Sequence, residues 1–244
     1  MRRSRRSAFA FVLLATVAQV GIVQADEGGQ AGASSVSIEL LTDFPIHIGA
    51  GVQVSAPHRL EFFTSLGVMP RGYLDTINAI SESIGWYDEL TSELIAASLE
   101  NALVWRVGVG WRPLQERGWY VRGGYSFAAL GGGLSGTEVI AAVTDSSPSS
   151  ADDARSFAVD ARVHLLDIET GWRVRLHESW TLRLGIGGSF TVLADCAVTP
   201  DWDVSRGRAI AVRELAASGE NYLEDVFQKY VHTVTLTVAT GWRF

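Results

Sequence analysis

The chain closes on VHTVTLTVATGWRF, and no other stretch restricts the fold so tightly. Val234, Leu236, Val238, Trp242 and Phe244 share one parity, with Thr240 the weak member, while Thr233, Thr235, Thr237, Ala239, Gly241 and Arg243 share the other. A period of two is a strand with two unlike faces. Terminal residues usually fray in water, so a strand that runs out on an aromatic side chain calls for apolar surroundings.

The same alternation recurs upstream. Leu103, Trp105, Val107, Val109 and Trp111 oppose Arg106, Gly108, Gly110 and Arg112; Trp119, Val121, Gly123, Tyr125 and Phe127 oppose Tyr120, Arg122, Gly124 and Ser126. Trp180, Leu182, Leu184, Ile186, Phe190 and Val192 oppose Thr181, Arg183, Gly185, Gly187, Ser189 and Thr191. Ile46, Ile48, Ala50, Val52 and Val54 form one row, and Leu60, Phe62, Leu66 and Val68 another. One segment changes phase: Phe157, Val159, Ala161, Val163 and Leu165 are odd, whereas Leu166, Ile168, Trp172, Val174 and Leu176 are even. A β-bulge near Leu165–Leu166 would reconcile them by adding one residue to that strand.

The connections alternate too. Ala56–Arg59, Pro113–Gly118 and His177–Ser179 are short; the stretches 69–101, 131–155 and 195–230 are long. Tight turns at one end and long loops at the other are the pattern of an up-and-down outer-membrane barrel. Counting back from the C-terminus places strands near 231–244, 180–194, 156–176, 119–130, 102–112, 59–68 and 46–55. Bacterial single-chain barrels have an even number of strands. Ser35–Leu41 supplies the eighth, ahead of the turn-like cluster Thr42–Pro45. The expected fold is therefore all-β: an eight-stranded antiparallel transmembrane barrel with helical insertions in its extracellular loops.

The parity also sorts the charges. The apolar rows carry almost none, as a lipid-facing surface requires, since a charge at the midplane costs about 2–4 kcal/mol. The opposite parity holds Glu61, Arg106, Arg122, Asp160, Arg162, His164, Glu169, Arg173 and Arg183, a set of mixed sign suited to ion pairing across a lumen. Trp111, Trp119, Trp172, Trp180, Trp242 and Phe244 gather at the tight-turn end on the apolar parity, as a girdle at a headgroup layer would. A secreted lipocalin-like ligand carrier would reverse the faces, with the apolar rows lining a cavity.

The N-terminus explains how such a chain would reach a membrane. MRRSRR, the apolar run Ala8–Val23 and the small-residue site before Asp26 read as a cleaved signal peptide over residues 1–25, leaving 26–244 as the barrel. Loss of Arg2, Arg3, Arg5 and Arg6 takes the formal charge from −7 to −11, so no nucleic-acid partner is expected. Cys196 is the only cysteine, which excludes an intrachain disulfide.

With its export signal, its amphipathic segments and its terminal TVATGWRF, the chain resembles small bacterial outer-membrane β-barrels of the OmpA transmembrane-domain or OmpX type. The resemblance implies location in the bacterial outer membrane, contact with its lipids and lipopolysaccharide, and recognition of the terminal Phe244 motif by the barrel-insertion machinery during biogenesis. It implies little about activity, because that superfamily includes anchors, adhesion proteins, pores and lipid-modifying enzymes.

Two loops carry helical patterns. Leu74, Ile77, Ile80, Ile84, Leu90, Leu94 and Leu99 recur at helical spacing with acids between them, and a second stretch near 211–230 reads as helical with a division at Gly219. They cap the mouth or offer an extracellular partner an acidic surface. The five histidines give no diagnostic catalytic spacing. His47 and His232 near the outer rim, with Asp43 and Asp195 as companions, are the residues an enzyme would use. Neither cofactor nor metal is expected, and an eight-stranded bore is filled by side chains. The reading is a non-catalytic membrane scaffold or surface-interaction protein, with a lipid-modifying enzyme or a narrow pore as alternatives.

Overall fold

A computed structural model describes residues 34–73, 75–76, 79, 102–114, 117–135, 156–200, 202 and 209–244. Residues 1–33, with the expected signal peptide, the middle loop and all but the start of the first long loop lie outside the described residues, and so do the expectations that fall on them. Eight strands close into one antiparallel barrel in sequence order: β1 (Ser35–Phe44), β2 (His47–Ser55), β3 (Leu60–Val68), β4 (Leu103–Leu114), β5 (Trp119–Ser135), β6 (Ser156–Arg175), β7 (Trp180–Pro200) and β8 (His232–Arg243). The ring is completed by β1 and β8, with Ser37 opposite Arg243 and Phe44 opposite Leu236.

The strand count and faces agree with the alternation. Leu40, Ile168 and Leu236 are 64%, 57% and 52% exposed on the outside, while Glu61, Arg106, Arg122 and Arg183 are buried within. An arrangement with apolar rows in the bore, as a lipocalin needs, is thereby overturned. Glycines make room for the larger inward rings: a Cβ on Gly185 would stand 2.5 Å from the Tyr120 hydroxyl oxygen.

Three expectations need correction. First, β1, β5 and β7 run past their expected limits, to Phe44, Ser135 and Pro200 rather than Leu41, Leu130 and Ala194, while the β1–β2 connection is the tight turn expected there, with Asp43 accepting from the Ile46 amide at 2.6 Å. Second, β6 has no bulge. Its odd residues face inward from Phe157 to Gly171, and the register shift falls between His164 and Leu165 because Val192 on β7 has no partner. Both Val192 and Leu193 point outward there, and β7 reverses parity. The phase change in β6 is instead a change of surroundings. Below Leu165 the inside is polar and the outside apolar; above it Phe157, Val159, Ala161 and Val163 are buried inside while Asp160 and Arg162 face out.

Third, the last loop forms one unbroken helix, α1 (Ala209–Tyr230). Gly219 lies on its buried face between Ala216 and Leu223, where packing outweighs the roughly 1 kcal/mol a mid-helix glycine costs. Ala216, Leu223, Val226 and Phe227 pack against the inner faces of β6 and β7 in a core with Phe157, Val159, Ala194, Cys196 and Val198. The strands here run past their neighbours. β8 begins at His232 opposite Phe190, so β7 from Thr191 onward has a free edge. Helix α1 covers it: Cys196 N–H donates to Glu224 Oε1 at 3.2 Å and Val198 N–H to Glu220 Oε1 at 2.9 Å. Alternate amides on a strand edge meet carboxylates one helical turn apart.

Burial, with Glu224, Asp195 and Glu220 adding to it, pushes the Cys196 thiol up to about 12. Since the thiolate is the reactive form, the folded protein should be inert to alkylating reagents near neutral pH. Phe227→Ala, which empties the centre of the helix–sheet contact and costs about 3–5 kcal/mol, should raise Cys196 alkylation by at least about tenfold. The barrel itself should stay closed, as judged by gel migration of the unheated protein.

Candidate functional site

The polar side chains concentrate inside the barrel below the level of Leu165. Glu61 is the hub on one side. Arg122 donates to its Oε2 at 3.2 Å, Arg173 to its Oε1 at 2.5 Å, and Arg112 Nε stands 2.8 Å from Oε1. Gln53 accepts from both Arg122 and Arg173. On the other side Arg183 joins Glu169 Oε1 at 2.7 Å and Glu39 Oε2 at 3.0 Å. Glu169 also accepts from Tyr120 Oη at 2.6 Å and Thr237 Oγ1 at 2.9 Å. Higher up, Arg106 bonds Asp43 and, through Nε at 3.2 Å, Asp167, which also accepts from Ser126 and from Ser189. Arg122 lies over the rings of Phe63 and Tyr120, 4.9 and 5.0 Å from their centroids.

These contacts draw on every strand and balance in charge. Arg106, Arg112, Arg122, Arg173 and Arg183 face Glu39, Asp43, Glu61, Asp167 and Glu169. A cavity of about 10 Å³ lies among them, bordered by Glu39, Asp43, Ser65, Arg106, Arg122 and Arg183, room for about one water. The arrangement is a filled bore, suited to holding eight strands together.

Six of the lumen residues anticipated from sequence stand in this network: Glu61, Arg106, Arg122, Glu169, Arg173 and Arg183. Asp160, Arg162 and His164 do not. They lie on the outward parity of β6, Asp160 and Arg162 above the apolar band and His164 at its upper edge beside Phe127 and Leu193, where the inside has become an apolar core. His164 instead shares a 2.5 Å hydrogen bond with Tyr125 Oη and an edge contact with Phe127. Glu39, Asp43, Gln53, Arg112 and Asp167 belong to the network and not to that set, although Arg112 has the inward parity. Glu39 was legible from its parity; Asp43 was masked by its turn-like neighbours, and Gln53 by its lack of charge.

Trp111, Trp172, Trp180 and Trp242 are all exposed on the outside, as is Phe244. They belong to the tight-turn ends of their strands: Trp180 pairs with Trp242, their rings edge to face at 5.3 Å, and Trp119 pairs with Trp172. Trp119 is half-buried and donates its indole N–H to Thr170 Oγ1 at 2.9 Å. That hydroxyl passes a hydrogen bond on to the Tyr120 carbonyl at 3.0 Å.

The residues an enzyme would use divide between two faces. His47 is buried in the bore, its Nε2 3.4 Å from Ser65 Oγ and its Nδ1 3.6 Å from Asp43 Oδ2. The order Asp–His–Ser matches a nucleophile relay, but the gap from Asp43 to His47 exceeds hydrogen-bond length. Asp43 is engaged by Arg106, and none of the three is exposed to a substrate. His232 faces outward and accepts from the Thr191 amide at 3.1 Å. Asp195 lies on the outer face opposite Arg162. Among the described residues no group of three or more His, Cys, Asp or Glu is placed to hold a metal ion.

A carboxylate shared by three arginines cannot be neutralised without cost. Glu61→Gln keeps the shape and leaves Arg112, Arg122 and Arg173 short of one charge. It should lower stability by about 3–5 kcal/mol, read as an earlier midpoint in urea unfolding of the micelle-bound barrel. Glu61→Asp, which keeps the charge, should recover part of the loss.

No protein-family model and no curated protein matches the chain. Among solved structures it is similar to the N-terminal β-barrel domain of Pseudomonas aeruginosa OprF, at 10% identity over 87% of this chain and 99% of that one, with a TM-score of 0.43. It is also similar to a major outer membrane protein from Thermus thermophilus, at 11% identity over 87% of this chain and 100% of that one, with a TM-score of 0.44. Acinetobacter baumannii CarO2 aligns at 11% identity over 88% of this chain and 100% of that one, with a TM-score of 0.40.

Proposed function

We propose that the chain is a bacterial outer-membrane β-barrel that serves as a non-catalytic, membrane-embedded scaffold carrying a structured extracellular projection. The observation that carries this reading is the inverted polarity of the barrel: apolar side chains on the whole outer band and an ion-pair network inside. An exposed apolar surface of that extent marks contact with something other than water, and a closed barrel leaves no strand edge unsatisfied in lipid. The exposed Trp111, Trp172, Trp180 and Trp242 suit a headgroup layer at the tight-turn end. The opposite boundary would fall where Asp160, Arg162 and Asp195 appear on the outside.

In this reading the leader delivers the chain to the envelope, the insertion machinery reads the strand ending at Phe244, and lipopolysaccharide surrounds the upper rim. β5, β6 and β7 with α1 stand clear of the bilayer, where a surface partner could meet them. Catalysis finds little support in a buried His47 and a relay whose aspartate is held by Arg106. A pore finds little in a bore filled by five arginines and their partners.

Folded into detergent micelles, the protein should run faster on a gel unheated than boiled, and should precipitate when detergent is withdrawn. A monomer that remains soluble without detergent would refute the membrane reading. In planar bilayers the inserted protein should show no unit conductance; discrete openings would replace the scaffold reading with a pore.

A further inference from the structure

The charge balance inside the bore does not extend to its tight-turn mouth. Arg175 on β6 and Arg243 on β8 have the inward parity of their strands and are exposed. Arg175 lies opposite Thr181 and Arg243 opposite Ser37, both also inward. Neither arginine takes part in an ion pair or side-chain hydrogen bond among the described residues. Arg112, partly exposed at the same mouth, feels the repulsion of Arg173, Arg243 and Arg175. Glu61 is the acid within reach, and it is fully buried and already shared by Arg112, Arg122 and Arg173. Glu178 sits on the neighbouring turn. Arg112, Arg175 and Arg243 therefore sit at the same end of the bore, each on the inward parity of its strand, in a chain that is acidic overall.

We propose that this mouth is a binding site for a phosphate group, held by Arg175, Arg243 and Arg112, with the hydroxyl of Ser37 as an additional donor. Several features favour phosphate. Guanidinium forks match its oxygens two at a time, and several forks from different strands suit a tetrahedral anion better than a single planar carboxylate. The wall of the site is rigid, since Gly241 and Glu39 pair between Arg243 and the lumen network and Thr181 donates to the Gly241 carbonyl at 3.4 Å. The ligand relieves a repulsion built into the mouth, so binding should also stabilise the barrel. The same chemistry is offered by a free phosphate compound and by the headgroup of an anionic phospholipid reaching around the tight turns.

The test is titration of the refolded, micelle-bound protein with inorganic phosphate at low ionic strength, followed by calorimetry. Saturable binding that weakens by at least about tenfold in Arg175→Gln/Arg243→Gln and with added salt supports the site. A control, Arg59→Gln/Arg117→Gln, removes exposed arginines from the turns outside the bore and should bind as the unaltered protein does. Absence of saturable binding, or equal losses in both double variants, would overturn the proposal in favour of diffuse surface charge. Repeating the titration in vesicles distinguishes the sources. Competition by phosphatidylglycerol, absent with phosphatidylcholine, assigns the site to a lipid headgroup; equal binding in both assigns it to a free phosphate compound. Unheated gel migration of each variant confirms that the barrel has folded.

Discussion

The structure depends on enclosing five guanidiniums with five carboxylates inside a ring of eight strands. Taking any one of these ions from water costs several kcal/mol unless a partner meets it in good geometry. The partners come from strands far apart in sequence: Arg183 on β7 reaches Glu39 on β1, and Arg173 on β6 reaches Glu61 on β3. Each such contact is satisfied only when the ring is closed. The network also enforces register. A slip of one residue exchanges the two faces of a strand, which would place Arg122 or Arg183 outside the barrel and an apolar row among unpaired charges. The outer band and the inner network are thus two consequences of one alternation, and neither is tolerable without the other.

The same principle explains why β6 and β7 solve the upper part of the molecule differently. Both must move from a polar interior to an apolar one as they rise beyond the shorter strands. β6 keeps its geometry and changes its sequence: the apolar residues shift from even positions at Leu166 and below to odd positions at Leu165 and above. β7 keeps its sequence parity and changes its geometry. Its apolar residues remain even from Leu184 to Val198, and the unpaired Val192 turns the strand over between them. The two routes reach one result, because the outside has changed while the inside must still be packed.

Legibility in the sequence follows from this. Strand number, strand limits to within a few residues apart from the upper ends of β5 and β7, the outward aromatics and six lumen residues could be read because period-two alternation reports directly which face a residue occupies. Parity alone assigns Asp160, Arg162 and His164 to the wrong face, because it reports a change of face and a change of medium identically. The run from Phe157 to Leu176 offers no mark by which to choose between them; only the partner strand, where the extra residue sits, decides. Helix α1 was legible in its spacing, but Gly219 suggested a break because the buried surface that overrides its cost belongs to β6 and β7. The links among Glu39, Gln53, Arg173 and Arg183 were out of reach for a further reason. Pairing inside a barrel is set by shear between strands, which alternation does not specify.

The one-sided rim then raises the problem of an unpaired edge. β7 outlasts β8 by the stretch from Thr191 to Pro200, roughly 30 Å of strand at about 3.3 Å per residue. An open edge of that length invites pairing with another chain. The loop that must descend from Pro200 to His232 supplies the cover, because its helix presents Glu220 and Glu224 one turn apart on the side that meets the edge. A helix offers no backbone groups to a strand, so only side-chain acceptors can satisfy those amides, and carboxylates do so with charge assistance. At the lower end of the same free segment the Thr191 amide meets His232 and its hydroxyl meets the Val231 carbonyl at 2.6 Å. The descent of the chain into β8 therefore begins where the helix leaves the edge, and the acidic residues that looked from sequence like a surface for partners serve first to keep one strand from finding them.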